Sequence, residues 1–407
     1  MKLVYADNNA TTPVAPEVVE AMRPFLTEHF FNPSSMYSPA AKVAAAIQAA
    51  RKEIAGLLGC ADPSQIYFTS CATESNNWAL NGAVRAAESR PGRKHVITTA
   101  VEHPAVLEVC KDFARRGYEV TFLPVDRSGR LDVGGFVRAL RKDTLLVTVM
   151  HANNETGVVF PVEELARLTK ETDPSIVFHT DATQSVGKLR IDLGAEFEHV
   201  DMLSFSGHKL HGPKGIGALF VRRGTPIRPY LIGGHQEGGW RAGTENVPYI
   251  AALAKACSLA AEHFPDEGRV RELRDRLQKA IVEQVPYVEV NGADAPRLPN
   301  TLNLACHYIE GESILYELNE SGICASSGSA CTSGSLEPSH VLKAMQVPFT
   351  AMHGSIRFSL SRYNTSEDVD RIIKVFPQAV RDLRKLSPYW DAKKGKPRAQ
   401  QLIIETK

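Results

Sequence analysis

The sequence predicts an α/β protein, with a large domain built on a mainly parallel sheet and a smaller α+β domain after it. Two observations lead there. Between about residue 40 and 265, short apolar runs alternate with longer segments whose apolar positions recur at three- and four-residue spacing, the pattern of buried strands and the helices that cover them. Beyond about residue 268 the alternation gives way to a helix, a few strands and a closing helix. On this reading residues 16–265 form the large domain, 1–15 and 266–390 the small one, and 391–407 a polar tail expected to be mobile.

The elements follow in order. PAAKVAAAIQAARKEIAGLLG (39–59) reads as a helix with one apolar face, and QIYFTS (65–70), HVITTA (95–100), EVTFLPV (119–125) and TLLVTVM (144–150) as strands. VEELARLTKET (162–172) returns to helical spacing, and SIVFHT (175–180), DMLSFS (201–206) and GALFVRR (217–223) complete the strand set. GGHQEGGWRAG (233–243) is too glycine-rich and polar for an element and predicts a loop, from which a long helix leads out of the core. RVRELRDRLQKAIVEQV (269–285) predicts a helix, YVEVN, TLNLAC and GSIRFSLS predict strands, and a last helix follows.

Composition narrows the function classes. In 407 residues, 47 basic side chains face 46 acidic ones, so no net field draws in nucleic acid or an anionic membrane, and neither is expected as a partner. No stretch supplies the roughly 20 apolar residues of a membrane span, and MKLVYADNNATT lacks a signal-peptide pattern; a cytoplasmic location is expected. The seven cysteines, at 60, 71, 110, 257, 306, 324 and 331, are scattered and include no CxxC pair, which argues against a disulfide scaffold and a structural metal; no metal site is expected.

The chemistry concentrates at strand ends. SFSGHKLHGPKG (204–215) ends a strand in Ser206, His208 and Lys209, and SIVFHTDATQSVG ends another with Asp181 and Gln184. In open α/β sheets the carboxyl ends of strands gather around the ligand crevice. A lone lysine there is more often a solvated turn residue. A lysine, a carboxylate and phosphate-binding hydroxyls together are what pyridoxal phosphate needs: an amine for its aldehyde, an anion for its ring nitrogen, and small donors for its phosphate. FTSCATESNN (68–77) supplies the donors, because Thr73 falls where a strand gives way to a helix with free N–H groups, although an N-cap without a ligand reads the same way. His103, between a strand and a helix opened by Pro104, becomes a candidate to stack on the ring and move protons. Arg357 alternates with apolar residues on a strand and fits either a structural ion pair or a clamp for a substrate carboxylate. Cys331, in ASSGSACTSGSLEPSH, lacks the large apolar neighbours of a buried thiol and fits a mobile nucleophile.

These blocks, with YADNNATT (5–12), NPSS (32–35), VEHPAV (101–106), HANNETG (151–157), HTDATQSVGK (179–188), RAGTEN (241–246) and SSGSACTSG (326–334), resemble the cysteine desulfurases of aminotransferase class V over nearly the whole chain. The serine-rich segment resembles the NifS/IscS group. FTSCATES, SGSLEPSHV and LSPYW are most similar to NifS, the desulfurase that serves nitrogenase. The resemblance implies the type I fold of pyridoxal-phosphate-dependent transferases and assigns roles by position. Lys209 is then the Schiff-base lysine, Asp181 the partner of the pyridine nitrogen and Gln184 that of the ring hydroxyl. His103 stacks on the ring. Thr73, Ser206 and His208 hold the phosphate, with Thr244 reaching it from the other subunit of a homodimer. Asn154 and Arg357 orient the substrate L-cysteine, and Cys331 accepts its sulfur as a persulfide for an iron–sulfur scaffold protein, NifU-like or IscU-like. A housekeeping desulfurase, a class V aminotransferase or a selenocysteine lyase would share the cofactor site, and the residues that argue most directly against a non-catalytic scaffold are Lys209 and Asp181.

Overall fold

The computed structural model describes residues 3–88, 92–327 and 338–398. After the short strand β1 (Val4–Tyr5), the chain lays down β2 (Ile66–Thr69), β3 (His95–Thr99), β4 (Glu119–Leu123), β5 (Thr144–Thr148), β6 (Val177–Asp181), β7 (Met202–Ser206) and β8 (Gly217–Val221). These seven pair in the order β2-β8-β7-β6-β5-β3-β4. β8 runs antiparallel to both its neighbours, whereas the bonded pairs from β7 across to β4 are all parallel. Every residue of β3, β5, β6, β7 and β8 is buried, as expected of strands covered on both faces. Two buried histidines among them are held by hydroxyls: His179 sits between Thr148 and Ser204 at 2.8 and 3.0 Å, and His95 between Thr144 and Thr121 at 2.8 Å each.

Helices cover both faces. One apolar cluster joins Val43, Ile47 and Ile54 of helix Ser38–Leu57 to Phe205 and Phe220 of the sheet and to Leu253 of helix Val247–Glu262. A second gathers Trp78, Phe113 and Leu146 on the opposite face, under helices Ala72–Ala87 and Pro104–Arg115. The helix expected to leave the core is Val247–Glu262, and the one expected at 269–285 is Asp266–Gln284, with Pro265 at its N-cap. β9 (Val288–Val290), β10 (Thr301–Cys306) and, after β11 (Ile323–Cys324), β12 (Ser355–Ser359) follow, with β12, β10 and β9 forming an antiparallel sheet and β1 pairing with β11. A third cluster packs Val4 and Ala6 with Leu277, Leu304, Phe358 and Phe376.

Residues 391–398, polar enough to read as tail, instead close a hairpin of β13 (Trp390–Asp391) and β14 (Lys396–Pro397). Trp390 holds it: its ring lies under the Arg384 guanidinium at 4.8 Å and against Tyr287 at 5.5 Å. Among the described residues no helix is long and apolar enough to cross a membrane.

Candidate active site

A cavity of about 660 Å³ opens where the parallel strands end. Its lining includes Thr73, His103, Asn154, Asp181, Gln184, Ser206, His208, Lys209 and Arg357. Each of the first eight follows or ends one of five strands: β2 leads to Thr73, β3 to His103, β5 to Asn154, β6 to Asp181 and Gln184, and β7 to Ser206, His208 and Lys209. Arg357 enters from β12. Thr244 is exposed and does not line this cavity. Cys331 lies outside the described residues, but the chain on either side reaches the site. Ser326 exchanges backbone hydrogen bonds with Arg357, and Pro338, Ser339 and His340 line the cavity.

Lys209 is half-buried, and its Nζ donates to the carbonyls of Asn9 and Ala10 at 2.6 and 2.7 Å. Asp181 is buried; its Oδ2 accepts from Asn76 Nδ2 at 2.7 Å and its Oδ1 from the Thr183 N–H at 2.9 Å. Gln184 donates to the Asn9 carbonyl at 3.1 Å while its Oε1, also buried, has no partner. Helix Ala72–Ala87 starts with no side chain capping it, so its first N–H groups are left for an anion beside Thr73. A lysine, a buried carboxylate, an orphaned amide oxygen and an uncapped helix start in one cavity suit pyridoxal phosphate, which brings an aldehyde, a ring nitrogen, a hydroxyl and a phosphate.

His103 caps its own helix: Nδ1 accepts from the Ala105 N–H at 3.1 Å. With that lone pair engaged, the neutral ring carries its proton on Nε2 and offers a donor to the cavity. Burial holds its pKa below the ordinary imidazole value, against the opposing pull of Asp181. His208 is pushed down to about 4 by burial and by Lys209, and its Nδ1 pairs with Thr11 Oγ1 at 3.1 Å.

Beside His103, Glu102 is fully buried, accepts from Thr99 Oγ1 at 2.8 Å and the Met150 N–H at 2.9 Å through Oε1, and leaves Oε2 unpartnered. Burial, reinforced by Asp181, pushes its pKa up from 4.5 to about 8. Between those values the native protein holds a proton that the unfolded chain has lost, so this group's stabilisation is full below about 4.5 and is lost as pH rises toward about 8. Glu102→Gln mimics the protonated acid. Its stability relative to the parent should therefore rise by an amount on the order of a few kcal/mol between pH 5 and 8. Paired calorimetric melts at the two pH values measure this, and an equal difference at both would mean that Glu102 titrates as an ordinary carboxylate.

The sequence reading missed six contributors. Asn76 follows Thr73 by one helical turn, a spacing that puts both on the face toward Asp181. The Asn9 and Ala10 carbonyls and the Asp7 carboxylate come from YADNNATT, which was legible as a block without roles. Ser339 caps helix His340–Ala344 and donates to Glu155 at 2.6 Å, and His340 bonds the Glu102 carbonyl at 2.9 Å.

Known proteins resemble this chain over nearly its whole length. A cysteine desulfurase of Trichormus azollae is 54% identical over 405 residues, 99% of each chain, and the cysteine desulfurase NifS of Azotobacter vinelandii is 54% identical over 388 residues, 95% of each. A solved NifS-like protein superposes with a TM-score of 0.87 at 38% identity, covering 94% of this chain and all of its own. The profile of class-V aminotransferases matches residues 4–372, nearly the whole length over which the strand-end cavity is assembled, and the chain belongs to that family.

Proposed function

We propose that this cavity takes sulfur from L-cysteine onto Cys331 and releases L-alanine, the protein being a pyridoxal-phosphate-dependent cysteine desulfurase. The observation that carries this is the convergence of Lys209, buried Asp181 and Arg357 on a cavity that Pro338 and Ser339 line after Cys331 and that Ser326, before it, adjoins through its backbone bonds to Arg357. Five residues of extended chain span at most about 18 Å, so Cys331 is tethered within that distance of Ser326.

When bound, the cofactor supplies an electron sink for the pair left at Cα once its proton is removed. Lys209 is suited to carry the aldehyde and, once displaced by the substrate amine, to take that proton on Nζ. Asp181, fixed by Asn76 and the Thr183 N–H, is suited to keep the ring nitrogen protonated, and Gln184 to meet the ring hydroxyl. Thr73, Ser206 and His208 hold the phosphate, with the uncapped helix start. Asn154 and Arg357 orient the substrate carboxylate. The Cys331 thiolate then attacks the substrate sulfur: an S–S bond forms, the Cβ–S bond breaks with its electrons left on carbon, and a proton taken up there completes the methyl group of alanine. His103, with its Nε2–H toward the cavity, is suited to deliver a proton to the reacting groups. Production of alanine from L-cysteine, equimolar with sulfur released by a thiol reductant, tests the whole reading; its absence in cofactor-replete protein would defeat it.

The persulfide feeds iron–sulfur cluster assembly, and the 54% identity to a relative named NifS supports a nitrogenase-linked role with a NifU-like scaffold as acceptor. Labelled sulfur passing faster to a NifU-like than to an IscU-like scaffold is the expected result, and the reverse order marks a housekeeping enzyme. The six described cysteines are free thiols, in keeping with a reducing cytoplasm.

The same reading makes the protein a homodimer in which Thr244 completes the partner's phosphate site. Tyr230, Leu231 and Ile232, the last 78% exposed, form an apolar run on the segment that also bears Thr244, and Leu231 accepts a backbone bond from Ala242. Sedimentation equilibrium should give twice the subunit mass, and Thr244→Ala should weaken cofactor retention without dissociating the dimer. A fully active monomer would remove this part of the reading.

A further inference from the structure

We infer that Asp7 is a positioning residue that sets how the Arg357 guanidinium meets the substrate carboxylate. The inference rests on the reading of Arg357 as the carboxylate clamp and adds a residue that nothing above assigns to substrate recognition. Asp7 is fixed beside β12 by the backbone, because Ser359 donates to the Ala6 carbonyl at 2.7 Å and Asn8 donates to the Ser359 carbonyl at 3.0 Å. From there its Oδ1 accepts from Arg357 Nη2 at 2.7 Å, in a pair whose side chains are 3% and 18% exposed for arginine and aspartate. Arg357 Nη1 donates to the Asn154 carbonyl at 2.9 Å, and that carbonyl also accepts from Asn9 Nδ2 at 3.1 Å.

The guanidinium is therefore pinned at two corners. Its Nε–H is buried with no partner, so part of the donor fork stays uncommitted beside the cavity. A buried cation that loses its counter-charge is strongly destabilised, and one held only by a carbonyl is free to turn about that bond. Asp7 answers both needs. It neutralises Arg357 while the cavity is free of substrate and keeps the fork aimed, leaving the remaining donors for an incoming carboxylate. Glu155, whose carboxyl is pushed up to about 7 by burial and is bonded to Ser339, is the other acid that feels Arg357, but it makes no hydrogen bond to it.

The test separates the carboxylate from the rest of the substrate. In holoenzyme, L-alanine and ethylamine are titrated by the change in the cofactor's visible absorption; both carry the amine, and only L-alanine carries the carboxylate. Asp7→Ala and Asp7→Ser should each weaken L-alanine about tenfold, leave ethylamine within about twofold, and raise KM for L-cysteine with kcat within about threefold. Asp7→Asn, which keeps the acceptor oxygen, should recover most of the L-alanine affinity. Cofactor content and melting temperature identify which variants are folded, and either the alanine or the serine variant suffices. Tighter L-alanine binding in them would make Asp7 a mere competitor, and equal weakening of both ligands would make it structural; each result overturns the inference. Arg357→Ala distinguishes its basis. If that variant binds L-alanine normally, the clamp reading fails; if it loses L-alanine while the Asp7 variants do not, only the role of Asp7 fails.

Discussion

Lys209→Ala is expected to abolish alanine formation from L-cysteine, by at least about a thousandfold, because on the proposed reading one side chain supplies both the covalent attachment of the cofactor and the base that takes the Cα proton. Among the described residues no other lysine lines the cavity on the side where Asp181, Gln184 and Ser206 converge; Lys111, the second lysine of the lining, comes from helix Pro104–Arg115, beyond His103. Reduction with borohydride should fix the cofactor to the parent protein and leave the variant unlabelled, although the proposed phosphate-side contacts through Thr73, Ser206 and His208 should still let the variant bind it. The control is Asp181→Ala. It keeps Lys209 and should still be labelled, while turnover falls because an unprotonated ring nitrogen makes a poorer electron sink. A Lys209→Ala protein that retained a reducible linkage would reassign the attachment point, and a cofactor-replete Asp181→Ala protein with normal turnover would leave that carboxylate a purely structural part.

The division between what the sequence disclosed and what it concealed follows the physics of each feature. Strands β3, β5 and β7 were legible because apolar and β-branched residues predominate in strands buried on both faces, and TLNLAC matched β10 residue for residue. The direction of β8 was not, since GALFVRR would read the same in a parallel or an antiparallel pair. Lys209, Asp181 and Gln184 were legible because side chains with opposite chemistry at two strand ends leave a pattern in the sequence. The Asn9 and Ala10 carbonyls that receive the Lys209 amine leave none, because every residue has a carbonyl and only the fold brings residue 9 to residue 209. Asp7 escaped for the same reason, being 350 residues from Arg357. The hairpin at Trp390 was concealed by composition: three lysines and an arginine surround it, and the aromatic contacts that hold it come from residues about a hundred positions earlier.

Cys331→Ala should separate binding from sulfur transfer more sharply than any other change. The variant keeps Lys209, Asp181 and Arg357, so it should take up cofactor and L-cysteine and show the spectral change of substrate binding with unaltered affinity. Desulfuration should nevertheless fall by at least about a hundredfold, because the attacking thiolate is gone and the alternative, expulsion of sulfide from carbon without a nucleophile, leaves the Cβ–S bond to break unaided. The remaining thiols do not substitute for it. Cys110, Cys257 and Cys306 are buried, and burial pushes Cys110 and Cys306 up to about 12 and raises Cys257 further, so none forms a thiolate near neutrality. Cys324 is also held above its ordinary value by burial and by Asp7. Cys71 lines the cavity and is therefore the informative control: Cys71→Ser should leave sulfur transfer intact if the acceptor is Cys331 alone. Mass spectrometry of the parent after L-cysteine should find one added sulfur on the peptide containing Cys331. Normal alanine production by Cys331→Ala would mean that the cavity releases sulfide directly, and loss confined to Cys71→Ser would move the acceptor to the start of helix Ala72–Ala87.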